Sequence, residues 1–252
     1  MSDPKAVAEY ATRLGDDSLI LGHRLSEWVS RAPFLEEDLA LTNVALDFIG
    51  RARMFYQYAA ELAGDGTTED TLAYTRDIRE FTNLLICELP RGDFAFSVVR
   101  HFLYDAFQLP FLQALKHSSD ERLAAIAAKA EKESRYHLRR GSEWVRRLGD
   151  GTEESRARTQ QAVNDLWGYT HEMFELDALD QRLVDAGIAV DIVALRPVWE
   201  DTVKTVLTDA TLTVPENTWG VRGGRTGYHT DSFGFLLAEL QFMQRAYPGL
   251  TW

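Results

Sequence analysis

The chain has 252 residues, 45% hydrophobic and 26% charged, the composition of a globular protein rather than a disordered or fibrous one. Its 39 acidic side chains against 27 basic ones give a formal net charge of −12, which speaks against sequence-independent nucleic-acid binding, since that needs a basic footprint. One cysteine, Cys87, excludes an intramolecular disulfide and a thiolate zinc site. No apolar run approaches the roughly 18–20 residues of a membrane span and no signal pattern opens the chain, so we expect a reduced, cytoplasmic protein.

Helical periodicity dominates from the start. Residues 5–30 read as a long helix with Leu14, Leu21, Leu25 and Trp28 on one side, followed by Pro33. In residues 36–62 the positions Leu41, Ala45, Phe48, Ala52, Phe55, Ala59 and Leu62 alternate in steps of four and three, the inward seam of a bundle helix. A helix is expected over 69–88, closed by Pro90 and Gly92, and another over 93–117, capped by Asp93 and kinked at Pro110. Residues 119–149 repeat the seam through Leu123, Ala127, Ala130, Ser134, His137, Gly141, Trp144 and Leu148, behind a capping box at Ser118–Glu121. A helix follows over 152–177, then one from Asp191 to about 209 with a break near Pro197. Residues 211–230, rich in glycine, read as a loop before a last helix at 232–246. No strand pattern of useful length occurs. The expected fold is one all-α domain over 1–252, a ferritin-like bundle core at about 5–150 with C-terminal helices and a loop-rich segment at about 151–252.

Polar residues on a bundle seam raise the question of a carboxylate-bridged di-metal centre, which draws a Glu from each of two helices and a Glu-x-x-His from each of two others. The residues three before His23, His101, His117, His137, His171 and His229 are Ile20, Val98, Ala114, Ser134, Gly168 and Thr226. None is acidic, so the motif does not occur. What remains is a set of vestigial candidates: Asp47 beside the second-helix seam with Gly50 where a ligand would sit, Glu133 one turn before His137, and Asp105. They could share a metal or be structural, a buried histidine held by a carboxylate.

Between 122 and 147 lie eight cations and three acids. Arg135, Arg139 and Arg140 on this face, and Arg222 and Arg225 in the glycine-rich loop, are candidates for binding an anion or an acidic partner; a solvated face and an ordinary packed loop are the alternatives. The loop matches no dinucleotide or P-loop pattern. Cys87, in the run Leu84-Leu85-Ile86-Cys87, reads as an inert core residue.

The stretches Leu21–Trp28 (LGHRLSEW), Glu36–Asn43 (EEDLALTN) and Ala45–Arg53 (ALDFIGRAR) carry a resemblance. So do Asn83–Leu85 with Gly92–Ala95, Tyr136–Arg139 with Ser142–Trp144, Ala210–Thr213, and Gly234–Glu239. In their order and spacing, from about residue 10 to Trp252, the chain resembles the family of structural, ferritin-like subunits of the multicomponent phenylacetyl-CoA 1,2-epoxidase of bacterial phenylacetate degradation. The resemblance implies a ferritin-like fold in a monooxygenase complex. It also implies that di-iron chemistry resides in a homologous catalytic subunit, and that this chain is its metal-free structural partner, with other subunits in the complex. Alone, the chain could form a homo-oligomer. Two other functions compete: an altered-site metal-dependent oxidase at Asp47, Asp105, Glu133 and His137, and a helical acyl-CoA-binding protein using the basic face.

Overall fold

A computed structural model describes residues 3–216 and 219–250. Among the described residues there are ten α-helices, four 3-10 turns and no strand. The long helices are α1 (Pro4–Ser26), α2 (Leu35–Ala63), α5 (Phe94–Leu115) and α6 (Glu121–Gly149), interrupted by the short α3 (Glu69–Tyr74) and α4 (Leu85–Glu88). Beyond them come α7 (Glu153–Trp167), α8 (Ala178–Asp185), α9 (Arg196–Asp209) and α10 (Asp231–Ala246). The fold is the expected all-α, ferritin-like bundle. Helix α1 lies along α2, α5 along α6, and α2 meets α6, while α7 and α9 cover α5 and α6 and α10 rests on α3.

The seams read from periodicity become the core. Leu41, Ala45, Phe48, Ala52, Phe55 and Ala59 of α2 are all buried, and only Leu62 at the end of that seam stays partly exposed. On α6, Leu123, Ala127, Ala130, Ser134, His137 and Gly141 are buried, whereas Trp144 and Leu148 are half-buried against the core. Each large seam side chain so removed from water contributes about 1.5–3 kcal/mol. Helix α5 is buried on nearly every side, from Ala95 to Leu115, as suits a helix that is apolar all round. Asp93 caps it by accepting from Phe96 N at 2.8 Å, and it continues through Pro110.

Several boundaries differ from expectation. The first helix stops at Ser26, and the chain turns through 27–31 with Ser30 at φ +63°. The helix expected over 69–88 breaks after Tyr74, because the backbone donors of the following strap bond to α1 instead. Thr82 N donates to Asp16 at 2.8 Å and Leu84 N to Asp17 at 2.7 Å. The cap of α6 is Asp120, which accepts from the amides of Arg122 and Leu123; Ser118 Oγ donates to Ile188 O instead. Helix α7 ends at Trp167 and passes into a 3-10 turn over Gly168–Phe174. Helix α8, which periodicity did not suggest, is nucleated by a capping box between Asp177 and Asp180. Pro197 begins α9 rather than breaking it, since a first-turn proline forfeits no helical hydrogen bond. No described helix is long and apolar enough to cross a membrane.

Candidate functional site

Three helices bring polar side chains into the middle of the bundle in one-turn pairs, the spacing that places two residues on one helix face. Helix α2 supplies Asp47 and Arg51, α5 supplies His101 and Asp105, and α6 supplies Glu133 and His137 with Ser134 and Arg140 beside them. Phe48 lies at their centre. Its ring centroid is 5.3 Å from that of His137 and 6.2 Å from that of His101. The guanidinium carbon of Arg51 stands 4.9 Å from the same centroid.

The four vestigial candidates do not converge on one point. His137 Nε2 lies 2.9 Å from Asp47 Oδ2, a direct hydrogen-bond separation with no room for an ion between them. Glu133, one turn before His137, is turned toward Arg51, with its Oε2 at 3.7 Å from Arg51 Nη2. Arg51 is fully buried and donates through Nη2 to Ser134 Oγ at 2.9 Å. Asp105 is buried on α5, and its Oδ1 has no hydrogen-bond partner. Gly50 faces open space on the outside of α2. Among the described residues, no three His, Cys, Asp or Glu side chains gather closely enough to hold a metal ion.

The electrostatics follow from burial. Burial raises the Asp105 carboxyl to about 8, opposed by the positive charges of Arg51 and Arg140. Burial raises Glu133, again opposed by Arg51. It lowers His137, partly offset by the hydrogen bond to Asp47, and lowers His101 much further, with Arg100 and Arg140 adding repulsion. The imidazoles therefore sit neutral at pH 7, and guanidinium groups supply the positive charge of the interior. The cavity lined by Leu25, Val44, Val98, His101, Asp105 and His137 measures about 10 Å³, room for no more than one water. Neither Arg51 nor His101 stands out in the amino-acid sequence. The available signal was their one-turn spacing from Asp47 and Asp105 within otherwise apolar helix faces.

The arginines of the basic face are engaged one by one. Arg135 pairs with Glu131 at 2.7 Å, Arg140 with Glu37, and Arg146 with Asp209 at 3.1 Å. Arg139 and Arg147 lie over the rings of Tyr136 and Trp144. Arg222, exposed, pairs with Glu175 at 2.6 Å. Arg225 is drawn inward to Asp17. These two arginines border a cleft of about 520 Å³ that Glu172, Glu175 and Asp177 also line, so the cleft presents carboxylates together with paired cations.

The glycine-rich loop belongs to a second buried network. Glu172 accepts from Leu85 N at 2.8 Å, Gly223 N at 3.0 Å and Gly224 N at 2.7 Å. Glu88 accepts from Asn83 Nδ2 at 2.9 Å and Thr230 N at 2.5 Å. His229 bridges Phe81 O at 2.9 Å and Glu88 at 2.7 Å. These bonds staple 223–230 to the strap that precedes α5. Cys87 is free and fully buried beside them, and burial pushes its thiol well up, as expected of an inert core residue.

Two comparisons bear on this architecture. The family described as phenylacetic acid catabolic protein matches residues 2–252. Among curated proteins, the chain is 50% identical over 243 residues to a subunit of the 1,2-phenylacetyl-CoA epoxidase of Escherichia coli (strain K12), covering 96% of this chain and 98% of that protein.

Proposed function

Because the chain belongs to the family of phenylacetic acid catabolic proteins, we propose that it is a non-catalytic structural subunit of a phenylacetyl-CoA 1,2-epoxidase. In this role it binds and steadies a homologous di-iron catalytic subunit. The reaction is taken from the similarity to the Escherichia coli protein. The non-catalytic role is carried by one observation: the buried guanidinium of Arg51 lies among the carboxylates that a metal would otherwise need. A fixed cation there repels a second one, and His137 and Asp47 already satisfy each other at 2.9 Å. On this reading the chain carries no cofactor, and the di-iron centre belongs to its partner.

The outer face of α2 supports the binding role. Leu35, Leu39 and Leu46 are 70%, 57% and 60% exposed, and their helical spacing places them on one side together with Gly50. An apolar stripe of this kind on a charged protein marks an interaction surface, and we assign it to the catalytic subunit. A free, buried Cys87 suits the cytoplasm as the place of work. The acyl-CoA-binding alternative draws no support from the basic face, whose arginines pair with carboxylates or lie over aromatic rings of the same chain.

The test is co-expression with the di-iron subunit of such an epoxidase, followed by size-exclusion chromatography. A stoichiometric complex that epoxidises phenylacetyl-CoA, while this chain alone does not, is expected. Failure to form any complex contradicts the proposal.

A further inference from the structure

We propose that His229 is a buried imidazolium, and that its second proton clasps the end of the glycine-rich loop and the start of α10 to Glu88 and the strap before α5. While the proton stays the clasp is closed; when it leaves the clasp opens.

Both ring nitrogens of His229 face acceptors. Nε2 lies 2.9 Å from the carbonyl oxygen of Phe81, and Nδ1 lies 2.7 Å from Glu88 Oε2. A carbonyl oxygen only accepts, so Nε2 carries a hydrogen. A neutral imidazole has one N–H, and Nε2 has taken it. The contact at Nδ1 therefore needs a second proton, on the ring or on the carboxyl. The surroundings of Glu88 place it on the ring. Oε1 accepts from Thr230 N at 2.5 Å, and Oε2 accepts from Asn83 Nδ2 at 2.9 Å. Asn83 Nδ2 also donates to Leu84 O at 3.2 Å, so two acceptors fix the direction of that amide. Donors on both oxygens favour the ionised carboxylate. The His229 ring is stacked on Phe233 with centroids 4.3 Å apart, and an aromatic face suits a cation. His229 thus differs from His101 and His137, which have no comparable pair of acceptors.

The site is closed to solvent, with the His229 and Glu88 side chains 1% and 0% exposed. The charged and titratable groups around it are otherwise engaged. Arg24 of α1 approaches, but donates to the backbone oxygens of Glu88 and Ser232. Glu172 holds the amides of Gly223 and Gly224, and Arg225 holds Asp17. Burial pushes the neighbouring Cys87 thiol well up, and burial followed by the Glu88 charge pushes up the hydroxyl of Tyr169. Among the described residues, no other charged side chain bonds to the imidazole.

Loss of the second proton leaves one donor for two acceptors, so either the Phe81 or the Glu88 bond breaks. The neighbouring Thr230 begins α10 without a side-chain cap, and its amide leans on the same carboxylate. Phe233 on the first turn of α10 packs edge-on against Phe81, with centroids 5.6 Å apart. Opening therefore frees residues 226–234, while the pair of Arg225 and Asp17 still anchors the loop before them.

The experiment uses the full chain labelled with ¹⁵N-histidine, with His229→Asn to identify the resonances. Long-range ¹H–¹⁵N spectra at pH 7.5 are expected to show protons on both ring nitrogens of His229. In Glu88→Gln, whose amide can donate to Nδ1, the proton is expected on Nε2 alone. Hydrogen exchange over 226–234, corrected for the intrinsic rate, supplies the second readout. From pH 6 to pH 8.5 the wild type is expected to lose about tenfold in protection, the equivalent of one net hydrogen bond, and Glu88→Gln to stay level. A wild-type His229 ring with a single N–H overturns the proposal, as do parallel protection profiles in the two chains. Should Glu88→Gln not fold, the wild type decides: protection that falls in step with the second ring proton supports the clasp, and protection that ignores its loss overturns it.

Discussion

The guanidinium of Arg225 forks onto the carboxylate of Asp17, with Nη1 at 3.0 Å and Nη2 at 2.8 Å, across 208 residues of chain. A bidentate pair of this kind fixes orientation as well as charge. Asp17 lies on the inner face of α1 and also accepts from Leu84 N, so the pair ties three distant segments together. Arg225→Met leaves a buried carboxylate without its cation, and the expected loss of stability is roughly 3 kcal/mol. Urea denaturation measures it, and hydrogen exchange is expected to quicken first in 223–230.

Two glycines predict changes of opposite sign. A Cβ at Gly50 would meet nothing within 4 Å, so Gly50→Ala removes backbone freedom from the unfolded chain at no steric cost. A gain of about 0.5–1 kcal/mol is expected for the isolated chain. At Gly224 a Cβ would lie 2.1 Å from the carbonyl oxygen of Asn83, which is backbone and cannot swing away. Gly224→Ala is expected to cost about 1–3 kcal/mol. Thermal unfolding of the two variants side by side checks both.

Asp105 makes stability depend on pH. Its folded pKa of about 8 lies above the ordinary carboxyl value of 3.8. Between those values the unfolded chain releases a proton that the folded chain keeps, so the folded state binds more protons and stability falls as pH rises. The loss is at most about 1.4 kcal/mol per pH unit over that window. Asp105→Asn keeps the shape and removes the titration. Its stability relative to wild type is therefore expected to improve steadily from pH 4 to pH 8. Parallel pH profiles would contradict the assignment.

On the proposed role, Leu39 on the outer face of α2 separates binding from folding. It is exposed, so Leu39→Glu is expected to leave the stability within about 0.5 kcal/mol of wild type. The same variant is expected to lose co-purification with the catalytic subunit. A fully retained complex would move the interface elsewhere.

Periodicity was enough to read the seams of α2 and α6 because burial there follows helical spacing residue by residue, from Leu41 to Ala59 and from Leu123 to Gly141. It failed over 69–88 because the competing partners of those backbone amides, Asp16 and Asp17, lie more than sixty residues earlier. It failed at Pro197 because a proline signals both a break and a first turn, and only the chain before it distinguishes them. The histidine spacing test addressed the ordinary di-iron motif but could not supply what stands in its place. Arg51 looks like any surface arginine in the bare sequence, and its meaning comes from Phe48, Ser134 and Glu133, brought together by two helices from different parts of the chain.

The most direct test of the account is iron content by elemental analysis, on the chain purified alone and on the complex with the proposed di-iron partner. The account predicts iron near zero for the isolated chain, and iron in the complex equal to the amount found in that partner alone. About two irons per isolated chain, lost on His137→Ala, would contradict it and make the Asp47, Glu133 and His137 cluster an active site.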